Sequence, residues 1–457
     1  MFDAEILSRI QFAFTISFHI IFPAFSIGLA TFLAIMEGAW LKTKNPLYLD
    51  ICKFWTKVFA LTFGMGVVSG IVMEFQLGTN WSGFTDRVGP VLGILFSYEV
   101  LTAFFIEAGF LGVMIFGWNR VGAKLHYLST LLVVFGVTLS AFWILSANSW
   151  MQSPAGASLV NGRFHVDNWW HVIMNPTVMP RFLHMLAAAY ITTAFVIAAI
   201  SAYYLLKKAH VEFAKKCFSF ATMLILILTP IQIFIGDEVG LRVHQYQPIK
   251  TAAIEGVWET QKGAPLLLFA WPDMQKQKNL YELKVPKGAS LINTHQLNGE
   301  LIGLKTVDRS AQPYVPIVFW SFRIMVGCGL LMLAFGLISL YLRKKHRLYD
   351  TAWFLKSAVL MAPIGFAAVI TGWFTAETGR QPWVVYNLVR TSEGATKVAL
   401  EHVVTSFVLL VIVYGIIFGI FYFKYLFKLI QKGPEGSDKI THQPFAYFSE
   451  RKVEKNQ

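Results

Sequence analysis

The stretch IQFAFTISFHIIFPAFSIGLATFLAIME, residues 10–37, decides the fold. It stays apolar for longer than the ~20 residues a helix needs to cross the hydrocarbon core of a bilayer. A short connector with Lys42, Lys44 and Lys53 follows, and a second apolar run begins beyond it. Working outward, runs of this kind fall at roughly 10–37, 55–77, 92–118, 125–147, 184–206, 218–240, 317–342, 354–374 and 400–430. The expected fold is therefore an all-α integral membrane protein of about nine transmembrane helices. The first run begins near Ser8 without a basic leader or a small-residue cleavage site, so it reads as a retained span.

Composition excludes the main soluble alternatives. Of 457 residues, 55% are hydrophobic and 14% charged, and the mean hydropathy is +0.54. Soluble domains carry ~25% charged residues. The net charge of +13 resides largely in short connectors rather than in a basic, aromatic-studded domain, so no nucleic-acid partner is expected. The three cysteines, Cys52, Cys217 and Cys328, form no disulfide framework. No C-x-x-C-H motif occurs, which excludes covalent c-type haem.

The connectors orient the chain. Lys42, Lys44 and Lys53 follow the first run; Arg120 and Lys124 follow the third; Lys207, Lys208, Lys215 and Lys216 follow the fifth. Arg343, Lys344, Lys345 and Arg347 follow the seventh, and Lys424, Lys428 and Lys432 close the ninth. With nine spans all of these share one side, which the positive-inside rule makes cytoplasmic. The N-terminus is then periplasmic and the C-terminus cytoplasmic, in a bacterial inner membrane. The opposite connectors, 78–91, 148–183, 241–316 and 375–399, are longer and less basic. Four regions are expected: a six-helix bundle over residues 1–240, a periplasmic loop over 241–316, a three-helix bundle over 317–432 and a polar cytoplasmic tail over 433–457.

A few side chains interrupt the apolar runs. A charge or imidazole in hydrocarbon costs roughly 2.5–3.5 kcal/mol on insertion scales, so such residues pair, bind a cofactor or carry protons. His184 opens the fifth run and Met325 lies about two turns into the seventh; a His/Met pair saturates a haem iron and suits electron transfer. A helix-capping His184 and a space-filling Met325 are the plain alternative. His19, mid-run in Phe18-His19-Ile20-Ile21-Phe22-Pro23, reads equally as an axial ligand or as a hydrogen-bonded structural histidine. Glu99 and Glu107 share the third run, about 80° and 12 Å apart on a regular helix, which suits two stations on a watered proton route. Glu377 closes the eighth run, with Arg380 one turn away as a structural partner if it is no ligand. His126, His165, His171, His210, His244, His295, His346 and His442 fall in connectors, span ends or the tail and read as ordinary.

The resemblance that gives these residues a shared purpose lies in Gly372-Trp373-Phe374-Thr375-Ala376-Glu377-Thr378-Gly379-Arg380-Gln381-Pro382-Trp383. It is similar to the Gly-Arg-Gln-Pro-Trp signature of subunit I of the cytochrome bd quinol oxidases. The similarity extends along nearly the whole chain, through Arg9-Ile10-Gln11-Phe12, Trp143 to Gln152, Trp320-Ser321-Phe322-Arg323-Ile324-Met325, and Lys250 followed by Glu255. It implies a terminal oxidase subunit that takes electrons from quinol and reduces O2 to water. It further implies a low-spin haem b held by His184 and Met325, with Arg323 and Arg380 among the cofactor-binding residues and Arg323 placed to meet a propionate. His19 and Glu377 would ligate a high-spin haem b and a haem d, the latter replaceable by haem b, near Glu99. Trp373 would stand between haems, and Glu107 and Ser140 would belong to the proton route. Lys250 and Glu255 match the quinol-binding positions of the family's Q-loop. Subunit II, and often a small single-helix subunit, would be partners within the lipid bilayer.

Two departures from the family pattern stand out. The Q-loop is of the short kind, as in the branch described as cyanide-insensitive, and Trp118-Asn119-Arg120 carries an amide where some relatives have an acid. If that acid feeds protons in them, the entrance here must differ. Two rival classes are weaker. A secondary transporter would explain buried acids, but repeats and matching broken helices are not evident. Copper oxidases need several histidines on neighbouring helices, and quinol-oxidising cytochromes b need paired ones; mid-run histidines here are too sparse, so no copper is expected.

Overall fold

The structure is a computed structural model and describes residues 3–434. Among the described residues, nine helical spans are long and apolar enough to cross a membrane. They are Ala4–Thr43, Pro46–Thr79, Ser82–Phe116, Ala123–Gln152, Trp169–Lys207, Val211–Tyr246, Arg309–Lys344, Ala352–Thr378 and Leu400–Lys432. In lipid every backbone amide must find its partner within the chain, and helices meet that demand segment by segment. The polar tail expected from residue 433 lies, beyond Pro434, outside the described residues.

The helices outrun the apolar runs that announce them. The segment 78–91 is no loop: the chain turns at Asn80 and Trp81 and is helical again from Ser82. The fourth helix continues to Gln152 and the sixth to Tyr246, both well past their expected ends. The helix of the fifth span starts at Val178, so His184 lies in its second turn and caps nothing. Hydropathy locates the lipid-facing middle of a helix, whereas its ends are set by where backbone hydrogen bonding stops.

Several spans are interrupted. The first breaks into Ala4–His19 and Ile21–Thr43. Pro23 has no N–H to offer the His19 carbonyl four residues back, which ends the regular ladder at His19. The third contains a wide turn over Val100–Phe104, where the Phe105 N–H reaches back five residues to the Val100 carbonyl. A second wide stretch, Ile412–Ile420, lies in the ninth span.

The first and fifth spans form the enclosed centre, while the third and ninth are the most exposed. Small residues let the central helices touch. Gly28 abuts Thr193, whose Oγ1 donates to the Phe25 carbonyl at 2.9 Å. A Cβ on Gly365 would lie 2.5 Å from Thr192 Oγ1, and one on Gly336 would lie 3.1 Å from Leu226 Cα. Association of helices in lipid rests on such close packing and cross-helix hydrogen bonds. The face with the long connectors carries the remaining structure: hairpin Ala157–Val160/Arg163–Val166, turned by Asn161 and Gly162 at φ 51° and 81°, helix Pro248–Glu255, and hairpin Leu266–Asp273/Lys278–Val285.

Candidate functional site

Three of the four ligand candidates share one environment. A Cβ on Gly70 would lie 3.2 Å from His19 Cε1, one on Gly236 would lie 3.4 Å from His184 Nε2, and one on Gly372 would lie 2.8 Å from Met325 Sδ. Each imidazole or thioether thus faces a neighbouring helix at a residue without a side chain. His19 Nδ1 pairs with Ser69 Oγ at 2.9 Å, whose hydroxyl donates to the Gly66 carbonyl. His184 belongs to the second turn of its helix and is braced from the sixth span, where Gln232 Nε2 donates to the His184 carbonyl at 3.1 Å. Met325 lies three turns into helix Val315–Lys344, one turn deeper than its apolar run indicates.

Glu377, at the end of helix Ile364–Thr378, is the centre of a buried polar network. Its Oε1 accepts from Asn148 Nδ2 and Gln152 Nε2, each at 3.0 Å, and its Oε2 pairs with Arg380. Arg181 joins through Asn148 and through Ser149 Oγ at 3.0 Å. Arg380 keeps Nε and Nη1 buried and without partners. A buried guanidinium with two idle donors fits an anionic group.

Lys250 and Glu255 lie on the one short helix Pro248–Glu255, both almost wholly buried. Lys250 Nζ donates to Gln152 Oε1 and to Gln247 Oε1, the latter at 2.6 Å. Gln152 therefore bridges Lys250 and Glu377. Burial drives the Lys250 ammonium well below the usual lysine range; Arg181 and Arg380 push the same way and Glu377 opposes them. Glu255 Oε1 accepts from Asn293 Nδ2 at 3.0 Å. Burial raises the Glu255 carboxyl, while Arg323 and Asn293 pull it down. Arg323 itself is engaged by the loop: it donates to the carbonyls of Leu267 and Ile254, both at 2.7 Å, and its guanidinium lies 3.3 Å from the Phe319 ring centre. Its Nη2 has no hydrogen-bond partner and stands 3.8 Å from Glu255 Oε2.

The acids of the third span face the fourth. Ser140 Oγ donates to Glu99 Oε1 at 2.7 Å. Glu107 is buried, its Oε1 unpaired, and its Cγ lies where a Cβ on Gly136 would come to 2.6 Å. Ser140 and Gly136 are four residues apart and so share one helix face. The 80° separation expected for a regular helix does not hold. The wide turn absorbs about one residue, leaving Glu99 and Glu107 about 20° apart and in line. Trp373 is half-buried beside Gly372, on the helix that ends near Glu377.

Sequence reasoning missed Gln152, Arg181, Asn148 and Asn293. The first and third stand in the stretch Trp143 to Gln152 that carries the resemblance, but their reach to Glu377 depends on the helix continuing past its apolar run. Among the described residues no group of three or more His, Cys, Asp or Glu converges as a metal site. Single ligands opposite glycines fit instead a flat group that brings its own in-plane nitrogens. A haem is such a group, and the idle nitrogens of Arg380 suit its propionates.

Comparison with known proteins addresses the whole chain. A family described as cytochrome bd terminal oxidase subunit I matches residues 7–434. A Bacillus subtilis (strain 168) protein, cytochrome bd ubiquinol oxidase subunit 1, is 38% identical over 449 residues, covering 94% of each chain. An Escherichia coli (strain K12) protein, cytochrome bd-II ubiquinol oxidase subunit 1, is 34% identical over 484 residues, covering 91% of this chain and 94% of the relative. The bd oxidase structure from Geobacillus thermodenitrificans superposes with a TM-score of 0.88 at 30% identity, over 94% of this chain and 99% of that one.

Proposed function

We infer the function from one premise: this chain belongs to the cytochrome bd terminal oxidase subunit I family. It is the quinol-oxidising subunit of a terminal respiratory oxidase, a multi-pass membrane protein that passes electrons from quinol to O2. The observation that carries the detailed reading is the glycine opposite each of His19, His184 and Met325. Three haems, a low-spin b, a high-spin b and a d whose place haem b can take, would supply single-electron transfer and the irons for O2 reduction. His184 and Met325 would hold the low-spin group, since an imidazole and a thioether together suit electron transfer. His19 and Glu377 would hold the other two, with Glu99 close by and Trp373 between them. Arg380, through its idle nitrogens, and Arg323 would meet propionates.

The chain's own residues handle quinol and protons. Lys250 donates a hydrogen bond to a quinone oxygen, and Glu255 accepts a proton as quinol is oxidised. The lysine-rich face is cytoplasmic and the loop face periplasmic, so protons from quinol leave outside. Protons for water formation enter from the cytoplasm and travel by Glu107 and Ser140 to Glu99. Charge therefore separates without a pump, each unit being worth ~2.3 kcal/mol per 100 mV. The complex resides in a bacterial inner membrane with subunit II and, in the fullest assembly, a small single-helix subunit.

A reduced-minus-oxidised spectrum of the assembled complex tests this reading. Alanine at His184 or Met325 removes the low-spin band, and alanine at His19 or Glu377 removes a different one. A correctly assembled but colourless complex ends the case.

A further inference from the structure

The lysine-rich face holds a buried polar cluster that the route above leaves unused. Glu37, near the end of the first span, and His126, near the start of the fourth, have side chains only 2% exposed. His126 Nδ1 meets Glu37 Oε1 at 2.6 Å, and Thr130 Oγ1 donates to Glu37 Oε2 at 2.6 Å. The other ring nitrogen, His126 Nε2, is buried without a partner. Burying a carboxyl group against an imidazole costs desolvation, and an imidazole with one idle nitrogen leaves a hydrogen bond unmade. Structural need alone therefore accounts poorly for this arrangement.

Its position is informative. Trp118 lies against the His126 ring, centre to centre at 3.9 Å. The same Trp118 lines a cleft of about 350 Å³ together with Asp50, Lys53, Lys57, Thr56 and Asn119. Thr56 Oγ1, on that cleft, is another buried atom without a partner. In the other direction His126, Thr130, Val133, Val137 and Ser140 recur at helical spacing on the fourth span, with Gly136, the seat of Glu107, among them. His126 and Gly136 are about 15 Å apart along the axis. Asn119 on the cleft wall does not itself titrate, whereas His126 and Glu37 stand directly behind Trp118.

We propose that the Glu37–His126 pair is the proton-uptake station of this oxidase, loading from the cleft past Trp118 and feeding Glu107. The inference rests on the oxidase reading given above. A proton arriving on His126 Nε2 is matched by one passing from Nδ1 to Glu37 Oε1. The neutral carboxyl then releases its proton toward the Glu107 carboxylate, and the ring returns to its first tautomer as its one remaining proton shifts from Nε2 to Nδ1, with no net proton gained or lost. No bond is lost overall; one proton leaves the cleft and one reaches Glu107. Thr130 fixes the second oxygen of Glu37, and water entering between Val133 and Val137 completes the connection.

The test uses the whole complex in proteoliposomes, driven by quinol, with a pH indicator reporting proton uptake on the lysine-rich side. Glu37→Gln and His126→Gln keep hydrogen-bonding capacity and remove the titrating group. Both should bind quinol and show the wild-type pigment spectrum, yet take up protons at least ten-fold more slowly. Glu37→Asp should recover most of the rate. Unchanged uptake in either assembled variant overturns the proposal. Failure of both to assemble does so as well, since the pair would then be structural. If the wild-type complex itself neither reduces O2 nor takes up protons, the oxidase reading fails, and the relay with it.

Discussion

At the scale of single residues, Glu255 offers the sharpest test. As a proton acceptor it works only when ionised, and burial raises its carboxyl above the ordinary value of 4.5. Quinol oxidation should therefore fall as pH drops through the raised value and recover above it. Asn293 stabilises the carboxylate through its 3.0 Å hydrogen bond, so Asn293→Leu should move this limb to higher pH. Glu255→Gln should abolish the limb and lower kcat/KM by roughly 10²–10⁴-fold. Steady-state kinetics over a pH series decide the matter; an unmoved limb in Asn293→Leu would contradict the assignment. The same group affects stability. Between 4.5 and its raised value the folded state holds more protons than the unfolded one, so stability declines as pH rises through that window. Thermal melts of Glu255→Gln should lack this decline.

At the scale of elements, the wide turn Val100–Phe104 changes the meaning of a spacing. Eight residues of regular helix would place Glu99 and Glu107 about 80° apart, and removing one would swing the second acid by about 100°. With the wide turn present, deleting the exposed Leu101 only restores regular hydrogen bonding. Both acids stay in line, facing Ser140 and Gly136. The Leu101 deletion should therefore keep at least half of wild-type O2 consumption, whereas loss of turnover with an intact pigment spectrum would refute the alignment. This element also marks a limit of sequence reading. Nothing in Val100-Leu101-Thr102-Ala103-Phe104 signals a change of pitch, because the extra residue is accommodated by hydrogen bonding rather than by composition. Pro23 was legible in kind, since proline in a helix must break the ladder, but its consequence, a helix that ends at His19, emerges only from the structure.

At the scale of the whole molecule, the nine apolar runs and their basic connectors were plain in the sequence, because lipid tolerates little else over ~20 residues. The site was legible as residue types but not as a network. The contacts of Gln152, Asn148 and Arg181 depend on where two helices end and how a loop folds back on them, which hydropathy does not encode. Orientation remains a matter of connector charge and is open to direct measurement. Cys52 and Cys217 are buried and Cys328 lies within the seventh span, so background labelling is low. In intact cells with a permeabilised outer membrane, a cysteine at Lys284 should react with a membrane-impermeant maleimide, and one at Lys345 should not. The reverse result would invert the molecule.

Gln152 carries a mechanical implication. Its amide is clamped at both ends, by Lys250 on the oxygen and by Glu377 through the nitrogen, so it cannot turn over without breaking both links. Any swing of the helix Pro248–Glu255 must tug on the carboxylate at the far end. Movements of that short helix and of the Glu377 carboxylate are thereby geared together through one planar group.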